Sequence, residues 1–193
     1  MSVNYDPSAQ KFLITYNGGY YQKVATVSGT SVSFGSQYAP FTYGLFTDVV
    51  YDASLQTNVV LCRDGAIKIR TATISGTAIS YGTVYQVDSG SNSQGQSIST
   101  NGSGVFFCHL LDQSRNPQAK IMKLTGSTWS AGQRIALYGG SPGTGTAWPT
   151  LWLPSVNRFV AFYGINNSLN FKLYEFDTAT LALSNTANHI LSS

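Results

Sequence analysis

The chain has 193 residues, enough for one ordinary domain with a substantial core, yet only 10% of them are charged and the net charge is +3. That balance lacks the basic stripe of a duplex-binding protein, and no apolar run reaches the roughly 18 residues a spanning helix needs, so neither nucleic acid nor membrane insertion is expected. The remainder, with 12 Tyr, 10 Phe and 19 Gly against one glutamate (Glu175), favours short strands and tight turns over helix.

The tripeptide Ser28-Gly29-Thr30 returns as Ser75-Gly76-Thr77, as Thr125-Gly126-Ser127 and, in worn form, as Asp177-Thr178-Ala179. The interval is about 50 residues, and a strand-rich unit of that length is the signature of a repeat architecture. Each copy follows a β-rich run ending in Val27, Ile74, Leu124 or Phe176. The first three are followed by Ser33-Phe34-Gly35, Ser80-Tyr81-Gly82 and Ser130-Ala131-Gly132.

Four units result, at about 3–47, 48–96, 97–147 and 148–193. The first is predicted to hold strands at 3–6, 12–16, 23–27 and 31–34, the last with a continuation. The second holds 49–52, 58–62, 68–74 and 78–81 with 84–87. The third holds 97–100, 105–110, 120–124 and 128–130 with 135–138. The fourth holds 150–153, 159–163, 171–176 and 181–183. Asn17-Gly18 and Asp64-Gly65 are pairs that two-residue hairpins select, and Asp6-Pro7-Ser8 and Pro154-Ser155 close first hairpins.

Four meandering strands per unit make one blade of a β-propeller, so the expected fold is all-β, a single propeller domain of four blades, each a four-stranded antiparallel sheet. The alternative is half of a larger propeller completed by another copy. The two cysteines, Cys62 and Cys108, fall in apolar second strands at matching places of repeats two and three, and read as small buried hydrophobes.

The loops between blades (37–47, 88–96 and 139–147) are the long ones, and they should share a face with the second-to-third hairpins. Tyr38, Phe41, Tyr43, Phe46, Tyr138 and Trp148 are the candidate ligand-binding residues there, since uncharged aromatics suit sugar rings or a protein neighbour. Equally, they could seal the ring. A cation stands four residues before the end of each third strand: Lys23, Arg70, Lys120 and Lys172. Alternation sets it on the apolar blade-packing face with its head at the loop-bearing rim. That rim could attract an anionic glycan, or pair with loop carbonyls or an aspartate.

Catalytic patterns are sparse. Asp6, Asp48, Asp52, Asp64, Asp88, Asp112, Glu175 and Asp177 mostly sit at turns, His109 and His189 have no metal spacing, and no nucleophile elbow or phosphate loop occurs. The expectation is a non-enzymatic protein without metal or cofactor.

The string from Tyr5-Asp6-Pro7 through Phe12–Tyr16 to Val24–Gly35, echoed from Val49 to Gly82, resembles a propeller-like repeat of bacteriophage tail-fibre and other virion proteins. Units three and four have drifted, with Asn101 and Leu153 in place of the turn aspartate. The resemblance implies a virion component that binds a host-surface glycan or receptor or decorates the particle. Its partners would be other virion proteins or copies of itself, and it would assemble in the host cytoplasm and act outside. The first residues, Met1 to Asp6, lack a charged and then apolar leader, which agrees with that route. A free soluble lectin and a glycan-cleaving enzyme are the alternatives.

Overall fold

The computed structural model describes residues 1–16, 21–43, 45–89, 97–111, 116–137, 147–165, 168–185 and 189–192. Nineteen strands and no helix appear there, in four antiparallel sheets of consecutive strands. The first sheet is β1 (Ser2–Asp6), β2 (Lys11–Tyr16), β3 (Tyr21–Ser28) and β4 (Ser31–Phe34). The second is β5 (Leu45–Asp52), β6 (Thr57–Asp64), β7 (Ala66–Ser75), β8 (Ala78–Tyr81) and β9 (Tyr85–Asp88). The third is β10 (Ser97–Thr100), β11 (Val105–Leu111), β12 (Pro117–Thr125), β13 (Thr128–Ala131) and β14 (Ile135–Ala136). The fourth is β15 (Ala147–Leu153), β16 (Arg158–Ile165), β17 (Ser168–Phe176), β18 (Leu183–Asn185) and β19 (His189–Ser192).

In the last three sheets the outer strand is broken in two, and both halves pair with the third strand. In the first sheet the second half is reduced to one bridge, Gln22 to Tyr38. The second and fourth sheets begin slightly earlier than the repeat boundaries, at Leu45 and Ala147, and each carries a register shift in its first hairpin.

The repeated tripeptide is the turn between third and fourth strands. Gly29, Gly76 and Gly126 lie at φ 56°, 60° and 61°, a left-handed backbone that costs an ordinary residue roughly 1–2 kcal/mol. The worn fourth copy is built differently. Asp177 accepts from the amides of Ala179 and Thr180, Leu181 turns through φ 55°, and the outer strand starts at 183 rather than 181.

The chain divides into two compact units, Met1–Ser89 and Gly90–Ser193, two sheets in each. In the first unit, Leu13, Val24 and Phe41 of the first blade meet Val49, Val60, Cys62, Ala72, Ile74 and Ile79 of the second. At about 25 cal/mol per Å² this apolar burial is the main force holding the two sheets face to face. Polar residues stitch the same seam. Asn4 donates to Asn58 Oδ1 at 2.8 Å, and buried Asn58 donates to Asp6 Oδ2 at 2.7 Å. In the second unit Val105, Phe107, Ala119, Ile121 and Leu137 pack on Phe159, Ala161, Tyr174 and Leu181, with the Phe107 and Phe159 rings stacked at 5.3 Å.

Both cysteines are buried, and neither is in a disulfide. They are not at matching places, however. Cys62 pairs with Lys68, whereas Cys108 pairs with Lys120, as Val60 pairs with Arg70. The third blade closes its first hairpin through Asn101–Val105, a shorter turn than Asp52–Thr57, so the later residues run out of step.

Candidate functional site

In the first unit the segment after β4 returns past the β6–β7 hairpin, and between them lies an open recess of about 520 Å3. Ala39, Pro40, Phe41 and Thr42 line one side, and Asp64, Lys68, Arg70 and Val84 the other. The second-to-third hairpin and the between-blade segment therefore meet at one rim, as blade topology requires.

Each wall is held by hydrogen bonds from the other. Tyr43 donates its amide to Asp64 Oδ1 at 3.0 Å, and Lys68 donates to Asp64 Oδ2 at 2.8 Å. Burial pushes the Asp64 carboxyl up, but the Lys68 hydrogen bond and charge and the Tyr43 and Thr42 amides outweigh it, so it lies below its usual range. The Lys68 side chain remains a quarter exposed, and its ammonium has two further protons to offer.

Arg70 forms the floor. Its Nε and Nη2 donate to the Gly82 carbonyl at 3.1 and 2.7 Å, and Nη1 donates to the Pro40 carbonyl at 2.6 Å. The guanidinium lies 4.6 Å from the Tyr81 ring centroid and 5.9 Å from that of Phe41. Burial lowers the Arg70 pKa and raises that of Tyr81. The Tyr81 hydroxyl donates to Gln22 Oε1 at 2.8 Å, extending the network into the first blade. Gln22 Nε2 and its cross-strand neighbour Thr15 Oγ1 are buried with no partner among the described residues.

The recess gathers only some of the residues expected from the sequence. Phe41 lines it, Tyr38 sits edge-on to Tyr81 at 6.5 Å, and Tyr43 adds its amide while its ring is 71% exposed. Phe46 and Trp148 lie in β5 and β15, with their side chains outside the described residues, as is Tyr138 altogether. Of the four cations, Arg70 and Lys172 donate to carbonyls of the segment leaving the preceding blade, Lys172 to Leu137 at 2.6 Å. Burial lowers the Lys172 pKa. Lys23 and Lys120 occupy the same strand position in the first and third blades.

Asp64 and Lys68 were not picked out from the sequence. Asp64 reads as a turn residue before Gly65, and the signal that finds it is its placement opposite a long, aromatic between-blade segment. Across that hairpin, Asp64 and a lysine four residues later fall at one end of the sheet.

Neither a protein-family model nor a curated protein sequence matches the chain. Among solved structures, a protein from Lactobacillus plantarum superposes with a TM-score of 0.69 at 14% identity, covering 96% of this chain and 53% of that one. A putative 6-phosphogluconolactonase from Bacteroides uniformis gives 0.69 at 9% identity, covering 99% and 55%. The fold is that of a β-propeller. An endo-1,4-beta-xylanase from Bacteroides thetaiotaomicron, at 0.45 and 12% identity, is too loose a match to carry weight. The chain spans about half the length of the first two structures.

These neighbours correct the virion reading. They are bacterial proteins, one of them named for a sugar-acid lactone, and none is a phage particle component. The shared Asp turn and Ser-Gly-Thr turn answer a blade's own backbone needs, so they report a blade and not a source. The tail-fibre, receptor-binding and particle-decorating functions fall with that resemblance.

Proposed function

We propose that the protein binds a sugar-class, polyhydroxylated ligand in the recess between residues 39–42 and the β6–β7 hairpin. The observation that carries this reading is the Asp64–Lys68 pair, part-buried in a concave wall with the lysine side chain 26% exposed. A carboxylate accepts from hydroxyls and an ammonium donates to them, so adjacent groups of both kinds bridge vicinal hydroxyls. Thr42 adds a hydroxyl, and Val84, 41% exposed, gives the apolar face of a ring something to rest on. Arg70 has its donors on carbonyls and serves as scaffold. The lysine favours ligands that also carry a carboxylate or phosphate.

Isothermal titration calorimetry of the whole chain with gluconate, 6-phosphogluconate and neutral hexoses tests the proposal. Saturable binding is expected, weakened at least tenfold in Asp64→Asn and in Lys68→Met, which corresponds to about 1.4 kcal/mol each. Absence of saturable heat across the panel would sink it.

A second reading, lactone hydrolysis, takes its support from the name of one structural neighbour and weighs against a non-enzyme. Water must then attack the lactone carbonyl with a base to take its proton, and the ring acyl C–O bond breaks as its oxygen takes a proton to leave as a hydroxyl. A carboxyl held below its usual range is a weak base at neutral pH, so ligand binding is the stronger reading. Hydrolysis of δ-gluconolactone and its 6-phosphate above the spontaneous rate, lost in Asp64→Asn, would support turnover. Hydrolysis at the spontaneous rate would contradict it.

A further inference from the structure

The two units repeat one packing rule. In each, the second blade lays one face of its sheet against the first. Val49, Ile74 and Ile79 carry that face in the second blade, at 7%, 8% and 6% exposure, with Tyr81 packed beside them. In the fourth blade Trp152, Phe176 and Leu183 pack on the core shared with the third.

The first blade has the same face. Val3 pairs with Ile14 as Val49 pairs with Val60, Val27 pairs with Val32 as Ile74 pairs with Ile79, and Ala25 pairs with Phe34 as Ala72 pairs with Tyr81. Yet Val3, Val27, Val32 and Phe34 are 52%, 51%, 53% and 60% exposed. Four large apolar side chains on one face of one sheet make a surface built for burial.

Lys23 completes the comparison. At this position Arg70 and Lys172 each donate to a carbonyl of the segment leaving the preceding blade. Among the described residues no carbonyl accepts from Lys23. The missing occupant thus has a definite chemistry: an apolar blade face with an outgoing segment that presents a carbonyl.

We propose that this occupant is the fourth blade of a second copy of the chain. One observation selects a copy over another protein: the chain is itself made of blades whose faces pack in this manner. The fourth blade also offers the complementary face. Leu13, paired with Asn4, lies on the side of the first blade that covers the second, and the corresponding pair in the fourth blade is Val160 with Leu151. Leu151 is 50% exposed. A contact between blade one of one copy and blade four of the other, made twice around a two-fold axis, closes a dimer.

Light scattering on the full chain over a wide concentration range, with Val32→Glu and Leu151→Glu alongside, tests the proposal. The wild type should show twice the chain's 20.7 kDa. Each variant, placed on a different face, should raise the dimer dissociation constant more than tenfold. Both positions are half exposed, so the variants should fold, which circular dichroism checks. Val156→Glu, at a 50% exposed residue in the β15–β16 turn, should leave the mass unchanged. A wild type that stays monomeric at every concentration, or a dimer indifferent to both variants, would overturn the proposal.

Discussion

The glycine after each outer strand shows how much a single atom decides. A Cβ on Gly132 would sit 2.0 Å from the Leu181 carbonyl oxygen, in the turn of the neighbouring blade. A backbone oxygen held in a hairpin cannot retreat, so Gly132→Ala should cost about 2–3 kcal/mol in denaturant unfolding. Gly29→Ala is the control, because its Cβ would meet nothing within 4 Å. Only the left-handed backbone opposes it, at about 1 kcal/mol. Arg70 is the other decisive residue. Replacing it with Met keeps the stem but leaves the Pro40 and Gly82 carbonyls without their donor, and should lower stability by about 2–3 kcal/mol. Lys at this position should recover only part, since one ammonium cannot span both acceptors as the guanidinium does. Asp64 fixes a pH dependence. Its carboxyl is held lower in the folded chain than its ordinary 3.8, so the ionised form favours the fold. That stabilisation is complete above the unfolded value and is lost as pH falls through the folded one. Thermal melts from pH 5 down to pH 2 should show an acid-side loss that Asp64→Asn reduces.

Among the elements, the first hairpins reveal a constraint that the amino-acid types conceal. Gln10, Gln56 and Asn157 occupy corresponding positions with φ of 53°, 48° and 53°. Gln56→Gly should therefore raise stability by roughly 1 kcal/mol, measured as a shift in the denaturation midpoint. The preceding aspartate keeps the turn. Asp52 Oδ1 accepts from Ser54 and Leu55 amides at 3.1 Å, and Asp6 Oδ1 accepts from Ala9 at 3.0 Å. Strand positions were legible because β-rich runs, turn aspartates and Ser-Gly-Thr recur together. Where recurrence fades, the reading slips. Asp177 builds a longer turn than Ser-Gly-Thr would, which moves the last outer strand, and the shortened turn at Asn101–Val105 breaks the apparent match of Cys62 and Cys108. The setting of an ion pair part-buried across a hairpin depends on where a distant segment passes, and no local pattern records that.

At the scale of the molecule, periodicity made the four blades readable, and the same periodicity misled on origin. A motif that every blade requires cannot distinguish a particle component from any other propeller. Half of the site could be read from the sequence. The aromatic between-blade segment that brings Phe41 and Tyr43 to the rim was visible as a long loop, whereas Asp64 and Lys68 became functional candidates only when that segment was seen to fold over them. The two proposals assign different surfaces of the first unit: the polar recess to a small ligand and the apolar face to another blade. They use different residues, so Val32→Glu should leave sugar affinity unchanged within a factor of two while altering molar mass.

Amide-resolved NMR during titration with 6-phosphogluconate tests whether the recess is where this protein meets its ligand. Saturable shifts are expected at the amides of Thr42, Tyr43, Asp64 and Lys68, with the second unit unmoved. Shifts confined to other residues, or none at millimolar ligand, would contradict it.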